Sequence, residues 1–271
     1  MFPESIGVDP ATGDAYVGSL ADGTLYRLAP DGEVEIWSPA GAGGRTSVAG
    51  VKVDPGGRLW AAGAYEGTLH VYDLAHHSLV AQMDVGARPS CVNDIAIGPG
   101  GEAYITDSFI SLLFRVGDDP LTLRPWVDLA EQGVPWAEGL NFNGIVLSHD
   151  RKHLVACQTN LGRFWQIGLG SGQVREVVLD GGPLEHCDGL AASGSTLYVA
   201  VNARSYVAVI ELADDGSSGA VTATLRSDDF AFPTSVALRS GELLVVNAQL
   251  DRMGGAPALP FTVVTLDPSS V

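Results

Sequence analysis

Glu4, Asn93, Asn143 and Asp188 are the residues of this chain whose types and spacing could do chemistry as a set. Each opens a recurring stretch: ESIGVDP from Glu4, NDIAIGP from Asn93, NGIVLSH from Asn143 and DGLAASG from Asp188. AGVKVDP from Ala49 and TSVALRS from Thr234 complete the register without a strong ligand, and successive members lie 45, 44, 50, 45 and 46 residues apart. Two carboxylates and two amides offer four oxygens and a charge of about −2, which suits Ca2+, a cation that takes about 6 to 8 oxygens with water filling the remainder. Zinc is a poor match, because no histidine stands in the register and no thiolates are placed for a tetrahedral site. Without a cation the two carboxylates would repel and one would take up a proton.

The elements that must position these residues are short strands. The first repeat reads as SIGVDP, DAYVGS, TLYRLAP and EVEIW, each bounded by Gly, Pro, Asp or Asn. The same four-beat pattern returns in every repeat until the sixth, which supplies only three strands. A period of roughly 40 to 50 residues with four strands per unit predicts an all-β, six-bladed β-propeller with four antiparallel strands per blade. The last blade is expected to be three-stranded or completed by a strand outside this sequence. Approximate blade bounds are 1–40, 46–86, 89–128, 137–180, 184–227 and 232–271, all in one domain.

In such a ring the first strand of each blade lines the central channel, so the six register positions share one rim. The second strand runs back to that rim, bringing Asp107, Asn160, Asn202 and Asn247 to the same mouth. His186 leads into the fifth inner strand and belongs there too, as a candidate proton carrier or a solvated side chain. Two connections are longer than their equivalents, residues 129–142 and 249–260, and both are expected on the same face. His76 and His77 fall in an outer turn away from the channel.

The gross numbers bound the partners. With 15 Lys and Arg against 32 Asp and Glu, the net charge of −17 argues against nucleic acid or an anionic membrane surface. Hydrophobic content of 46% is that of a folded globular chain. No apolar run approaches the length of a membrane-spanning helix, and no basic, apolar leader precedes the first repeat, which leaves the cytoplasm or a secreted protein whose leader has been removed. Cys91, Cys157 and Cys187 lack a CxxC spacing and are odd in number, so neither a disulfide framework nor a thiolate metal site is expected.

The segments PESIGVDP, VNDIAIGPGG, FNGIVLSHD and HCDGLAASG resemble those of the senescence marker protein/gluconolactonase family, which includes regucalcin, and its relatives diisopropyl fluorophosphatase and the paraoxonases. The resemblance implies that Glu4, Asn93, Asn143 and Asp188 surround a catalytic Ca2+, for which other divalent ions could substitute. It also implies that Asp188 acts as general base or nucleophile, while Asp107, Asn160, Asn202, Asn247 and His186 shape the substrate pocket. The activity it implies is that of a calcium-dependent hydrolase, most readily a lactonase acting on a small lactone or ester at the channel mouth. Phosphotriester hydrolysis on the same site, or a non-catalytic propeller with structural calcium, are the alternatives. The chain departs from the family in two places. Cys91 stands where sugar-lactone members have Arg, and Ala191 stands where fluorophosphatase-like members have the Asp of a second calcium. No protein partner is indicated.

Overall fold

The computed structural model describes residues 1–117 and 119–268. All regular structure beyond three single-turn 3-10 segments is β, in short strands rich in Val, Ile, Leu and aromatics between tight turns. A first sheet takes β1 (Pro3–Val8), β2 (Ala15–Ser19), β3 (Leu25–Leu28) and β4 (Val34–Ser38) in that order. The second does the same with β5 (Gly50–Val53), β6 (Arg58–Ala62), β7 (Thr68–Asp73) and β8 (Ser78–Asp84). A third holds β9 (Val92–Ile97), β10 (Ala103–Asp107), β11 (Leu112–Val116) and β12 (Leu123–Asp128). Next come β13 (Phe142–Leu147), β14 (His153–Gln158), β15 (Arg163–Gly168) and β16 (Val174–Asp180), then β17 (Cys187–Ser193), β18 (Thr196–Val201), β19 (Tyr206–Leu212) and β20 (Ser218–Leu225). The last sheet has three strands, β21 (Pro233–Arg239), β22 (Glu242–Asn247) and β23 (Val263–Leu266).

The six-bladed propeller expected from the repeats is overturned by the pairing of these strands. β16 and β20 pair in parallel, through Val178 with Ser218, Leu179 with Gly219 and Asp180 with Ala220. That ladder fuses the fourth and fifth repeats into one eight-stranded sheet, ordered β13-β14-β15-β16-β20-β19-β18-β17. Its end strands lie against each other, since a Cβ on Gly144 of β13 would stand 2.4 Å from the Asp188 carbonyl oxygen of β17. The described strands therefore form a propeller-like arrangement of four small sheets and one nearly closed eight-stranded sheet. The physical cause is an edge effect: β16 and β20 are long outer strands whose open edges satisfy each other's backbone groups instead of facing water.

The strands that open the repeats, β1, β5, β9, β13, β17 and β21, are successive neighbours, and β21 returns to β1. Apolar clusters fill the wedge between each pair of neighbouring units. One joins Tyr16, Leu25 and Trp37 of the first sheet to Leu59 and Tyr72 of the second, and another closes the circle by setting Ile6 and Val17 against Leu244 and Val246. Full burial of each such side chain contributes about 1.5–3 kcal/mol, so closure rests on packing, with no strand shared between the first and last sheets among the described residues. Among the described residues, no helix is long and apolar enough to cross a membrane.

Candidate functional site

The register positions are set apart from the strands they open by β-bulges. The pairing of β1 with β2 shifts between Pro3 and Ser5, leaving Glu4 out of the ladder. Equivalent shifts free Asn93 in β9, Asn143 in β13, Asp188 in β17 and Thr234 in β21. A bulge bends the strand and re-aims the side chain at its crest, here toward the channel. Glycine follows the crests at Asn143 and Asp188, where neighbouring backbones touch: a Cβ on Gly144 would lie 2.4 Å from the Asp188 carbonyl oxygen, and one on Gly50, after Ala49, 2.0 Å from that of Asn93.

Glu4, Asn93, Asn143 and Asp188 meet around one cavity of about 240 Å³. Its wall is completed by Asn202 and Cys91, by apolar Leu20, Ala49, Tyr65 and Phe232, and by Leu140, Leu250 and Asp251 from the two long connections. Glu4, Asn93, Asn143 and Asp188 are buried, with exposures of 7%, 5%, 3% and 3%.

A repeated hydrogen-bond relay fixes them. The Asn93 side-chain nitrogen donates to Ser108 Oγ at 2.9 Å, and that hydroxyl donates to the Phe142 carbonyl at 2.7 Å, one residue before Asn143. One unit further on, the Asn143 nitrogen donates to Thr159 Oγ1 at 3.1 Å, and Thr159 donates to the Cys187 carbonyl at 2.7 Å, one residue before Asp188. With the nitrogens engaged, each amide oxygen is the acceptor left for the cavity. The main chain is pinned similarly, since Thr234 Oγ1 donates to the Glu4 carbonyl at 2.6 Å and Thr106 Oγ1 to that of Asn143 at 2.7 Å.

Asp188 Oδ2 accepts from Asn202 Nδ2 at 2.7 Å, whereas its Oδ1 is buried without a hydrogen-bond partner. Burial pushes the Asp188 carboxyl up to about 7, against the pull of the Asn202 hydrogen bond and of the neighbouring Asn143 amide. Glu4 is also driven well above the usual carboxylate range, first by burial and then by the charges of Asp188 and Asp94. No lysine, arginine or histidine lines the cavity to offset them. A buried oxygen without a donor costs about 1–3 kcal/mol or more when charged, and a hard cation would relieve that cost at both carboxylates. The donor set fits such an ion: two carboxylates and two amide oxygens, with no imidazole. Among the described residues no three His, Cys, Asp or Glu side chains gather as a metal cluster.

Of the five residues expected from the sequence to shape the pocket, Asp107, Asn160, His186, Asn202 and Asn247, only Asn202 lines the cavity. Asp107 is fully buried and accepts from Ser90 Oγ and from the backbone N–H groups of Cys91, Phe109 and Ile110, so it ties two loops together. Asn247 spans its connection by donating to the Asp229 carbonyl and Thr262 Oγ1 and accepting from Ala231 N. Asn160 donates to the Glu138 carbonyl and to Asn141 Oδ1, and an exposed His186 contributes only backbone hydrogen bonds. His77 accepts from Trp37 Nε1 at 3.2 Å in the outer turn. All three cysteines are buried free thiols, and burial pushes the Cys91 thiol up, away from the thiolate. Sequence reasoning missed Thr159, Phe232 and Leu250. Thr159 carried a usable signal, because it follows Gln158 at the end of β14 as Ser108 follows Asp107 at the end of β10.

No protein-family model matches the chain, and no curated protein matches it in sequence. Solved structures do share its fold. Mala s 1, the major allergen of Malassezia sympodialis, superposes with a TM-score of 0.75 at 16% identity, over 99% of this chain and 93% of its own. The calcium-binding protein regucalcin from Agrobacterium tumefaciens gives 0.72 at 18% identity, over 98% and 89%. A gluconolactonase from Xanthomonas campestris gives 0.69 at 15% identity, over 92% and 84%. At these identities the likeness to the gluconolactonase and regucalcin group is one of fold.

Proposed function

We propose that the cavity binds a hard divalent cation, Ca2+ by the character of its oxygens, and hydrolyses a small neutral lactone or ester. The observation that supports this is the buried Asp188 carboxyl with one oxygen held by Asn202 and the other unpartnered. Glu4, Asn93, Asn143 and Asp188 would hold the ion, which when bound polarises a carbonyl oxygen and stabilises the charge developing on it. Asp188 would take a proton from water and return it to the departing alcohol oxygen. The new carbon–oxygen bond comes from water, and the ester carbon–oxygen bond breaks. Asn202 keeps Asp188 oriented through Oδ2. Leu20, Ala49, Tyr65 and Phe232 present an apolar wall on the side of the ring without strong ligands, which suits a substrate with an apolar tail more than a polyhydroxylated sugar.

The test pairs calorimetric titration of Ca2+ with turnover of neutral lactones, esters and phosphotriesters of graded tail length. Wild-type protein should bind one ion and open lactones, and Asp188→Asn should lower kcat about 10²–10⁴-fold with a smaller loss in ion affinity. Near-normal turnover by Asp188→Asn would remove the mechanism. Absence of divalent binding would remove the site, and faster phosphotriester cleavage would change the substrate class.

A further inference from the structure

The repeat register that supplies the oxygen ring at its first position supplies a different ring at its fourth. There stand Gly7, Ala96, Val146, Ala191 and Ala237, all small or aliphatic, together with Lys52. The fifth position is aliphatic throughout. Both layers lie at the far end of the inner strands from the cation cavity, and both line a second cavity of about 330 Å³. That volume falls within the range of small-ligand sites, about 300–1,000 Å³. Among the described residues, Lys52 is the one charged side chain in its wall.

The partly buried Lys52 ammonium makes no hydrogen bond or ion pair among the described residues. Carboxylates that follow the fifth position are committed to their own turns. Asp54 accepts from the main-chain N–H of Gly56 and from Arg58 Nε and Trp60 Nε1, and Asp9 accepts from Ala11 N and Thr12 Oγ1. The Lys52 charge does act on Asp94, pulling down a carboxyl that burial pushes up. Both Asp94 oxygens are nevertheless engaged by main chain, Oδ1 accepting from Ile95 N at 2.8 Å and Oδ2 from Ile145 N at 3.0 Å. An ammonium held against aliphatic walls without a counter-ion is costly, and an anion seated there would relieve that cost.

We infer that this second cavity binds a medium-chain aliphatic carboxylate. Its head group meets Lys52, a compact charge with three donors, and its chain lies along the two apolar layers. Charge and lining select against other ligands. Lys52 repels a cation, a dianion would bury a second charge without a partner, and an uncharged chain would leave the ammonium as it is. The site shares no wall residue with the cavity of Glu4 and Asp188, so it does not depend on the reaction proposed there.

The probe is octanoate, titrated calorimetrically into the full chain in chelator, so that no cation in the first cavity recruits the carboxylate. One site is expected. Acetate, with the charge and no chain, and octanol, with the chain and no charge, should each bind far more weakly. From butyrate to octanoate, affinity should rise by about fourfold per added methylene. Lys52→Met should weaken octanoate roughly tenfold or more with the near-ultraviolet circular dichroism unchanged, and Lys52→Arg should restore binding. Leu259→Asp, on an exposed apolar surface elsewhere, should leave it unaltered. No octanoate binding at millimolar concentration, a flat chain-length series, or octanol binding as well as octanoate would overturn the inference. So would equal binding by a folded Lys52→Met, or its loss in Leu259→Asp. Should Lys52→Met fail to fold, the wild-type series with octanol and acetate decides the question alone.

Discussion

Asn202 Nδ2 lies 2.7 Å from Asp188 Oδ2, and this hydrogen bond ties the second-strand rim to a carboxylate of the ring. It favours the ionised form of a group that burial otherwise keeps protonated. Asn202→Ala removes a hydrogen bond to a charged group, worth about 1.5–3 kcal/mol, and should move the titration of Asp188 up by about one to two pH units. The acid limb of the pH–rate profile, or of Ca2+ affinity against pH, should shift upward accordingly. An unmoved limb would mean that Asp188 is not the titrating group.

Stability of the cation-free protein should fall as pH rises. The Asp188 carboxyl titrates at about 7 in the fold against a usual value of 3.8, so between those values the folded chain holds a proton that the unfolded chain has released. Its stabilising contribution is complete below about pH 4 and is lost as pH climbs through about 7; Glu4 acts in the same direction. Differential scanning fluorimetry from about pH 5 to pH 8 should show a falling Tm in chelator. Ca2+ at 100 times its Kd should restore about 2.7 kcal/mol, most visibly at the alkaline end.

Gly50→Ala should be far more damaging than an exposed Gly→Ala change. The added methyl meets the Asn93 carbonyl oxygen at 2.0 Å, and that backbone cannot retreat without moving Asn93. A loss of about 1–3 kcal/mol from overpacking, together with loss of the Ca2+-induced rise in Tm, is expected. Gly170→Ala, at an exposed glycine where a Cβ meets nothing within 4 Å, controls for the change in chemistry and should leave the Ca2+ response intact.

Asp107→Asn separates loop architecture from chemistry. The carboxylate serves four donors and does not reach the cavity. Its replacement should lower Tm by several degrees while Ca2+ affinity at 10 °C stays within about threefold. A large affinity loss in a still-folded protein would return Asp107 to the site.

The ring register was legible because its members open inner strands, and three of them are followed by a glycine that permits close backbone approach, as in the NG of Asn143–Gly144 and the DG of Asp188–Gly189. The bulges that aim Glu4 and Asp188 at the channel leave no comparable mark, since a one-residue slip in pairing keeps the same alternation of apolar residues. The β16–β20 ladder was illegible for a related reason: edge pairing is decided by where two outer strands arrive in space, and neither sequence carries a turn that announces it. Asp107 and Asn247 were taken for pocket residues because polar residues after a second strand reach the right rim. Whether such a side chain faces the cavity or its own loop depends on loop backbone, visible only once Cys91 N and Ala231 N are seen donating to them.

The hydrogen bond from Thr234 to the Glu4 carbonyl joins residues 230 positions apart. Glu4 can enter the cavity in its final place only after the last sheet has formed and met the first, so the site is completed by the slowest class of contact in the chain. A chain still emerging from the ribosome, or one stalled with its final sheet open, would carry Asn93, Asn143 and Asp188 in order yet lack the fourth oxygen donor. Cation uptake would then time the end of folding, marking the molecules whose two termini have found each other.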